Sequence, residues 1–382
     1  MDTKILIGAD IVPTKSNYVE FIEGNVETLV GKTMCDLLHE MDFTIFNLEV
    51  PLTDVISPLQ KCGPNLQALS ETINGIKKLN PYFFTLANNH ILDQSVQGLK
   101  STMEILNREN IKYAGAGNDL KEASKPFVFE KNGIKIGIYC CAEREFSIAT
   151  ENKAGANPFD PLFSLDHIRL LKKDVDYVIV LYHGGKEHYR FPSPNLQKTC
   201  RRIVDSGADL VVCQHSHCIG CYEDWETGKI IYGQGNFLFD DSDSEFWKTS
   251  LLIEIIFKSK NDFSIEYIPI IKVGNGIRLA ENEKKVEIIN GFEDRSKRII
   301  ESAFIETEYS KFAQQYINTY LRTGMPHNTS LFNRVFNKLS KGTWFERRIT
   351  KEQKLALCNY LECEAHRELF LQGLKESLRK SS

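Results

Sequence analysis

The chain has 382 residues, 42% of them hydrophobic, which is enough for one large buried core or two smaller ones. Its formal charge of −4 is close to balance, so no global field draws it to nucleic acid or to an anionic membrane. Its ten cysteines sit in a long chain whose start lacks the basic residues, apolar core and cleavage site of a signal peptide, and no window reads as a membrane span; a cytoplasmic protein with free thiols is the expectation.

Apolar runs predict strands at 5–9, 44–48, 83–87, 134–141, 177–182 and 210–213. Several are continuous Val/Ile/Leu/Phe stretches, the pattern of strands covered on both faces. Helical spacing falls between them, at 31–40, 67–79, 95–110, 165–172 and 195–206. Pro194 suits the first turn of the last of these and Gly207 its C-cap. The alternation predicts an α/β layered fold. After Gly220 the rhythm changes. Segments 230–232, 250–257 and 263–270 read as antiparallel strands, with Ser259-Lys260-Asn261-Asp262 as a hairpin turn. Past 280 the chain is charged and helical, with apolar spacing at 304–320 and 355–374, so a first domain of 1–280 and a helical appendage of 281–382 are expected. Cys218 and Cys221 form a C-x-x-C, but no second pair completes a zinc site.

Polar residues able to bind metals recur where the predicted strands end. Asp10 follows 5–9; Asn47 and Glu49 close 44–48; Asn88, Asn89 and His90 follow 83–87; His183 follows 177–182; His215 and His217 follow 210–213. In an open α/β sheet the carboxyl ends of the strands line the ligand crevice. A lone Asp after a strand is usually a turn former, and a lone His a satisfied surface or core residue. Neither explanation covers five strands that deliver Asp, Glu, Asn and His to one edge. Mixed oxygen and nitrogen donors without thiolate suit Mn, Fe or Zn better than Mg or Ca. Two such ions about 3.5–4 Å apart activate a water and neutralise phosphoryl charge, and Glu49 is the candidate to bridge them.

Around these ligands several residues have two readings. Asp93 either orients His90 or caps the helix that starts near Ser95. Glu187 and His188 either face a substrate or stand solvated in their loop. Asn236, in Gly235-Asn236-Phe237, closes the floor of the site as a hydrogen-bond donor. Lys61 meets an anionic substrate or is a surface lysine.

The segments NLEVPLTD (47–54), LANNHILDQSVQGL (86–99), YAGAG (113–117), HGGKE (183–187), GADLVVCQHSH (207–217) and YGQGNFLF (232–239) resemble the bacterial capsule synthesis protein CapA family, also called the poly-γ-glutamate biosynthesis family, of the calcineurin-like metallophosphoesterase superfamily. The resemblance covers roughly residues 3–270. It implies a four-layer sandwich in which two mixed β-sheets are flanked by helices. It also implies divalent metal ions, two in number, held by Asp10, Glu49, Asn89, His183, His215 and His217, with His90 as an acid or phosphate-orienting imidazole; His90 and, as its orienting partner, Asp93 are the catalytic candidates. Asn47, Glu187 and Asn236 are the candidates for substrate contact. Val12 stands where phosphoesterases usually place a histidine two residues after the first aspartate, which leaves the first metal one ligand fewer. Gly184 replaces a tryptophan common in the family, and Cys213-Gln214-His215-Ser216-His217 keeps both spaced histidines of the family's motif. The activity implied is metal-dependent hydrolysis of a phosphomonoester or phosphodiester linked to capsule or poly-γ-glutamate metabolism, on an anionic small molecule or polymer. The alternatives are γ-glutamyl amide hydrolysis and a non-catalytic role in binding or assembly.

Overall fold

The structure is a computed structural model and describes residues 2–324, 338, 349–362 and 364–381. The apolar runs form strands β1 (Thr3–Val12), β2 (Phe43–Leu48), β3 (Phe83–Thr85), β4 (Lys112–Ala114), β5 (Ala116–Gly117), β6 (Phe127–Lys131), β7 (Ile134–Ala142) and β8 (Gly155–Ala156). They continue with β9 (Tyr177–His183), β10 (Leu210–Gln214), β11 (Tyr222–Trp225), β12 (Gly228–Ile231), β13 (Asn236–Phe239), β14 (Thr249–Ser259), β15 (Asp262–Val273) and β16 (Gly276–Leu279).

Two mixed sheets carry the fold. The first has the order β16-β15-β14-β1-β2-β3-β4, with β13 also paired to β1. Strand β1 runs antiparallel to β14 from Thr3 to Ile7, then pairs in parallel with β13 from Asp10 onward, across an irregularity between Asp10 and Ile11. The second sheet has the order β11-β12-β10-β9-β7-β6. Strands β7, β9, β10 and β12 are parallel there, and the hairpins with β6 and β11 close its edges.

Side-chain alternation along each strand decides the layers. Ile5, Ile7, Ile45 and Phe83 of the first sheet face Ile136, Ile138, Ile179, Leu181 and Val212 of the second, in one core between the sheets. Leu6, Phe46, Leu48 and Phe84 point outward to a second core with Phe21, Leu29, Leu38, Leu99 and Leu106 from helices on that side. On the far side, Tyr139, Val178, Val180 and Val211 pack against Ile168 and Leu171 of the helix Ser164–Asp174, and Leu196, Cys200 and Ile203 of the helix Pro194–Asp205. The result is the helix–sheet–sheet–helix sandwich. Pro194 opens its helix as the sequence suggests, with Ser193 Oγ accepting the Leu196 N–H at 3.1 Å, and Gly207 follows with φ +111°.

Two segments depart from the expectation. Residues 67–79 do not form one helix: Ala68 bridges to Leu52, and short turns follow at Ser70–Thr72, Ile73–Ile76 and Lys77–Leu79. Gly75 packs so tightly that an added Cβ would sit 2.6 Å from the Phe21 backbone. The chain also divides into the compact units Met1–Glu306 and Thr307–Ser382, not at 280. The helix Asn282–Arg298 belongs to the first unit, because Ile288 and Phe292 are buried in the core between the sheets. In the second unit, helices Lys351–Glu362 and Glu364–Ser381 cover the 355–374 pattern except residue 363, which lies outside the described residues; Tyr360 stands 5.9 Å from Phe370. Among the described residues, no helix is long and apolar enough to cross a membrane.

Candidate functional site

Because β1, β2, β3, β9 and β10 lie in the parallel parts of their sheets, their carboxyl ends open at the same end of the sandwich. Asp10 and Glu49 reach it from the first sheet with no exposed surface. His183 arrives at the end of β9, and its Nε2 lies 3.0 Å from Asn89 Oδ1 and 3.2 Å from Glu49 Oε1. The rings of His183 and His215 are 4.8 Å apart, and those of His215 and His217 are 6.0 Å apart. Among the described residues, Glu49, His215 and His217 form a group whose donor atoms all lie within 4.8 Å of one another. Asp10 joins through its Oδ2, 3.6 Å from His217 Nδ1. The structure thus brings together the six metal-ligand candidates through these contacts.

The loop that carries the two histidines is strained. His215 has φ +99° and His217 φ +52°, a region L side chains rarely adopt. Tight packing holds it there. A Cβ on Gly233, itself at φ +142°, would lie 2.6 Å from Ser216 Oγ.

Donor atoms in the cluster are left unsatisfied in a way that a cation would correct. Asp10 Oδ2, both oxygens of Glu49 and His215 Nδ1 are buried without a hydrogen-bond partner, which is costly for groups of this kind. Burial, with Asp10 beside it, pushes Glu49 up to about 8. Burial also opposes the Asp10 charge, yet neighbouring His217 and His183 and the Asn47 amide hold it below its ordinary value. Burial drives His183 down to about 3 and His215 well down, leaving both as the neutral imidazoles a metal needs. The 3.2 Å contact of His183 with Glu49 is therefore not an ion pair. Burial acts the same way on His217, but Asp10 and Glu49 overcome it and pull that imidazole up to about 9. Two buried carboxylates, three imidazoles and an amide without thiolate fit a divalent cation.

Neighbouring side chains orient these donors. Asn47 is fully buried; its Nδ2 donates to Asp10 Oδ1 at 2.7 Å and its Oδ1 accepts from Asn88 at 3.0 Å, so its amide is occupied within the protein. Asn236 Oδ1 accepts from His217 Nδ1 at 2.8 Å, while Asn236 Nδ2 is buried without a partner. Asp93 Oδ2 lies 2.6 Å from His90 Nδ1 and accepts the Leu66 N–H; the cap of the helix Ser95–Arg108 falls on Gln94 instead. Glu187 is half-exposed, 3.7 Å from Lys186; burial opposes its charge, but His215, Lys186 and His217 lower its pKa, which places it beside the histidines.

Of the two readings of Lys61, the surface one fails: its side chain is buried and ion-paired with Asp93, 3.4 Å from His90 Nδ1. Two features escaped the sequence. Glu145 accepts from Asn89 Nδ2 at 3.0 Å, which turns Asn89 Oδ1 toward the cluster. Glu145 follows the end of β7, so the rule that found the candidate ligands points to it too. Trp247 packs 4.9 Å from the His217 ring, and no local pattern marks it.

Residues 10–241 match the family described as bacterial capsule synthesis protein PGA_cap. The PGA biosynthesis protein CapA of Bacillus subtilis is 31% identical over 239 residues, which cover 61% of this chain and 62% of that protein. The capsule biosynthesis protein CapA of Bacillus anthracis is 28% identical over 242 residues, 61% of this chain and 59% of that one. The chain thus matches about three fifths of the length of these relatives. Among solved structures, a phosphatase of Mycoplasma pneumoniae is 14% identical with a TM-score of 0.45, over 71% of this chain and 94% of that chain.

Proposed function

Because the chain belongs to the bacterial capsule synthesis protein family PGA_cap, we propose that it is a metal-dependent hydrolase of phosphomonoesters or phosphodiesters in the metabolism of capsular polymer or poly-γ-glutamate. One observation carries the reading: buried carboxylate and imidazole donors converge with their ligand atoms unsatisfied. Two divalent ions, Mn, Fe or Zn, fit this donor set, and Glu49 would serve both. Asp10 and His217 would hold one, and Asn89, His183 and His215 the other. Such ions, when bound, supply an activated water and neutralise phosphoryl charge.

The chain's own groups do the rest. His90, with its ring held by Asp93, gives a proton to the leaving oxygen or steadies phosphoryl charge. The unpartnered Nδ2 of Asn236 is a donor for a substrate oxygen, and Glu187 stands at the rim of the same cluster. Asn47 supports Asp10 and acts on substrate through it.

A second reading is a binding or assembly protein that keeps the fold with an incomplete site. It is favoured by Val12, a buried apolar residue where a histidine would add a ligand to the first ion. Elemental analysis of the purified full chain, followed by a screen of phosphomonoesters, phosphodiesters and γ-glutamyl amides with Mn, Fe and Zn, separates the readings. Bound metal with phosphoester turnover is the expected result. Turnover of amides alone, or neither metal nor turnover, overturns the proposal, the latter in favour of the binding reading.

A further inference from the structure

His188 lies in the loop after β9, with φ +58° and its N–H donated to the Ser216 carbonyl at 2.8 Å, inside the loop that carries both histidine ligands. Its ring is held on two sides. Phe246 stacks on it with centroids 5.4 Å apart and planes 9° from parallel. Trp247 Nε1 donates to its Nε2 at 2.9 Å. An indole N–H can only donate, so His188 Nε2 must offer a lone pair and the ring proton must sit on Nδ1. An imidazolium would set two N–H groups against each other, so the same contact keeps the ring neutral. Among the described residues, Nδ1 makes no hydrogen bond. The ring lies 6.4 Å from that of His217, and Trp247 packs 4.9 Å from His217 as well. A donor of fixed tautomer, with no protein acceptor, therefore borders the metal cluster.

We infer that His188 is an anion-binding residue of this site, donating Nδ1–H to an oxygen of the phosphoryl group, and that Trp247 is the positioning residue that fixes its tautomer. The inference rests on the phosphoester reading above. A purely structural role, in which the His188–Trp247 bond only staples the two loops, makes a different prediction.

The test is calorimetric titration of inorganic phosphate into the manganese-loaded full chain, with manganese content measured for each variant. His188→Phe keeps the stacking and removes the donor; phosphate binding weakens roughly 10- to 100-fold at unchanged manganese content, the range for one hydrogen bond to a charged acceptor. His188→Gln, which keeps an N–H donor, recovers part of that loss. Trp247→Phe weakens binding less than His188→Phe does. The double variant His188→Phe/Trp247→Phe binds as weakly as His188→Phe alone, because Trp247 acts only through His188. Wild-type affinity in His188→Phe, or losses that add in the double variant, overturns the inference while the phosphoester reading stands. Wild-type protein that holds manganese but binds no phosphate overturns both.

Discussion

Glu49→Gln should change stability in opposite directions with and without metal. Glu49 is fully buried, neither oxygen has a hydrogen-bond partner, and burial beside Asp10 raises its folded pKa from 4.5 to about 8. A raised pKa means that the folded state favours the protonated carboxyl. The contribution is fully present below about pH 4.5 and is lost as pH rises through about 8. At pH 7, metal-free wild-type protein therefore carries a penalty of about 3 kcal/mol that the glutamine variant lacks. Spread over the unfolding entropy of a unit of this size, that is a melting temperature about 5 °C higher for the variant in chelator. Manganese at about 100 times its dissociation constant returns roughly 3 kcal/mol to wild type by mass action, and much less to a variant without the shared carboxylate. Thermal melts at pH 5 and pH 7, each in chelator and in manganese, measure all four states. Parallel pH dependence of the two proteins in chelator, or equal upward shifts of both with manganese, would refute the account of Glu49 as an unpartnered buried carboxyl that gives up its proton to a cation.

His183 touches both Glu49 and Asn89, so His183→Ala should retain less total metal after desalting than Asp10→Ala, which opens the set with fewer ligands; equal losses by elemental analysis count against the division into two sites. His90→Ala should keep near-native metal, lose about 10²–10⁴-fold in kcat on alkyl phosphoesters, and lose much less on nitrophenyl esters, whose leaving group needs no proton. Loss of metal from that variant would make His90 a ligand. Gly75→Ala forces a Cβ to within 2.6 Å of the Phe21 backbone and should cost about 1–3 kcal/mol in urea unfolding at unchanged metal content; an unshifted midpoint would show that the two segments separate without strain.

The candidate ligands were legible because each depends on a local pattern. A continuous apolar run makes a buried strand, and the polar residue that ends it must lie at the sheet's edge. That reasoning places Asp10, Asn47, Glu49, Asn88, Asn89, His90, His183, His215 and His217 without knowledge of which strand pairs with which; the family resemblance singles out six of them as candidate ligands. The turn Ser259–Asp262 was legible for the same reason, and β14 and β15 pair up to its ends. Segment 67–79 was misread because its helical spacing is real but short, and tertiary packing of Gly75 on Phe21 broke it into turns. The boundary at 280 failed because an amphipathic helix reads alike whether its apolar stripe is buried in its own domain or elsewhere.

What the sequence determined by itself is which polar side chains end the strands, the candidate metal ligands among them, and the end of the sheets at which they gather, since hydrophobic periodicity specifies the strands. What only the tertiary structure decided is how those side chains are held. Glu145 reaches Asn89 across 56 residues and Trp247 reaches His188 across 59, distances over which no periodic signal operates. Lys61 reads in its loop either as a substrate contact or as a surface lysine, and only the fold buries its side chain against Asp93. The left-handed backbone at His215 and His217 likewise runs against local preference, and it stands where Gly233 packs so close to Ser216 that a Cβ there would lie 2.6 Å from its Oγ.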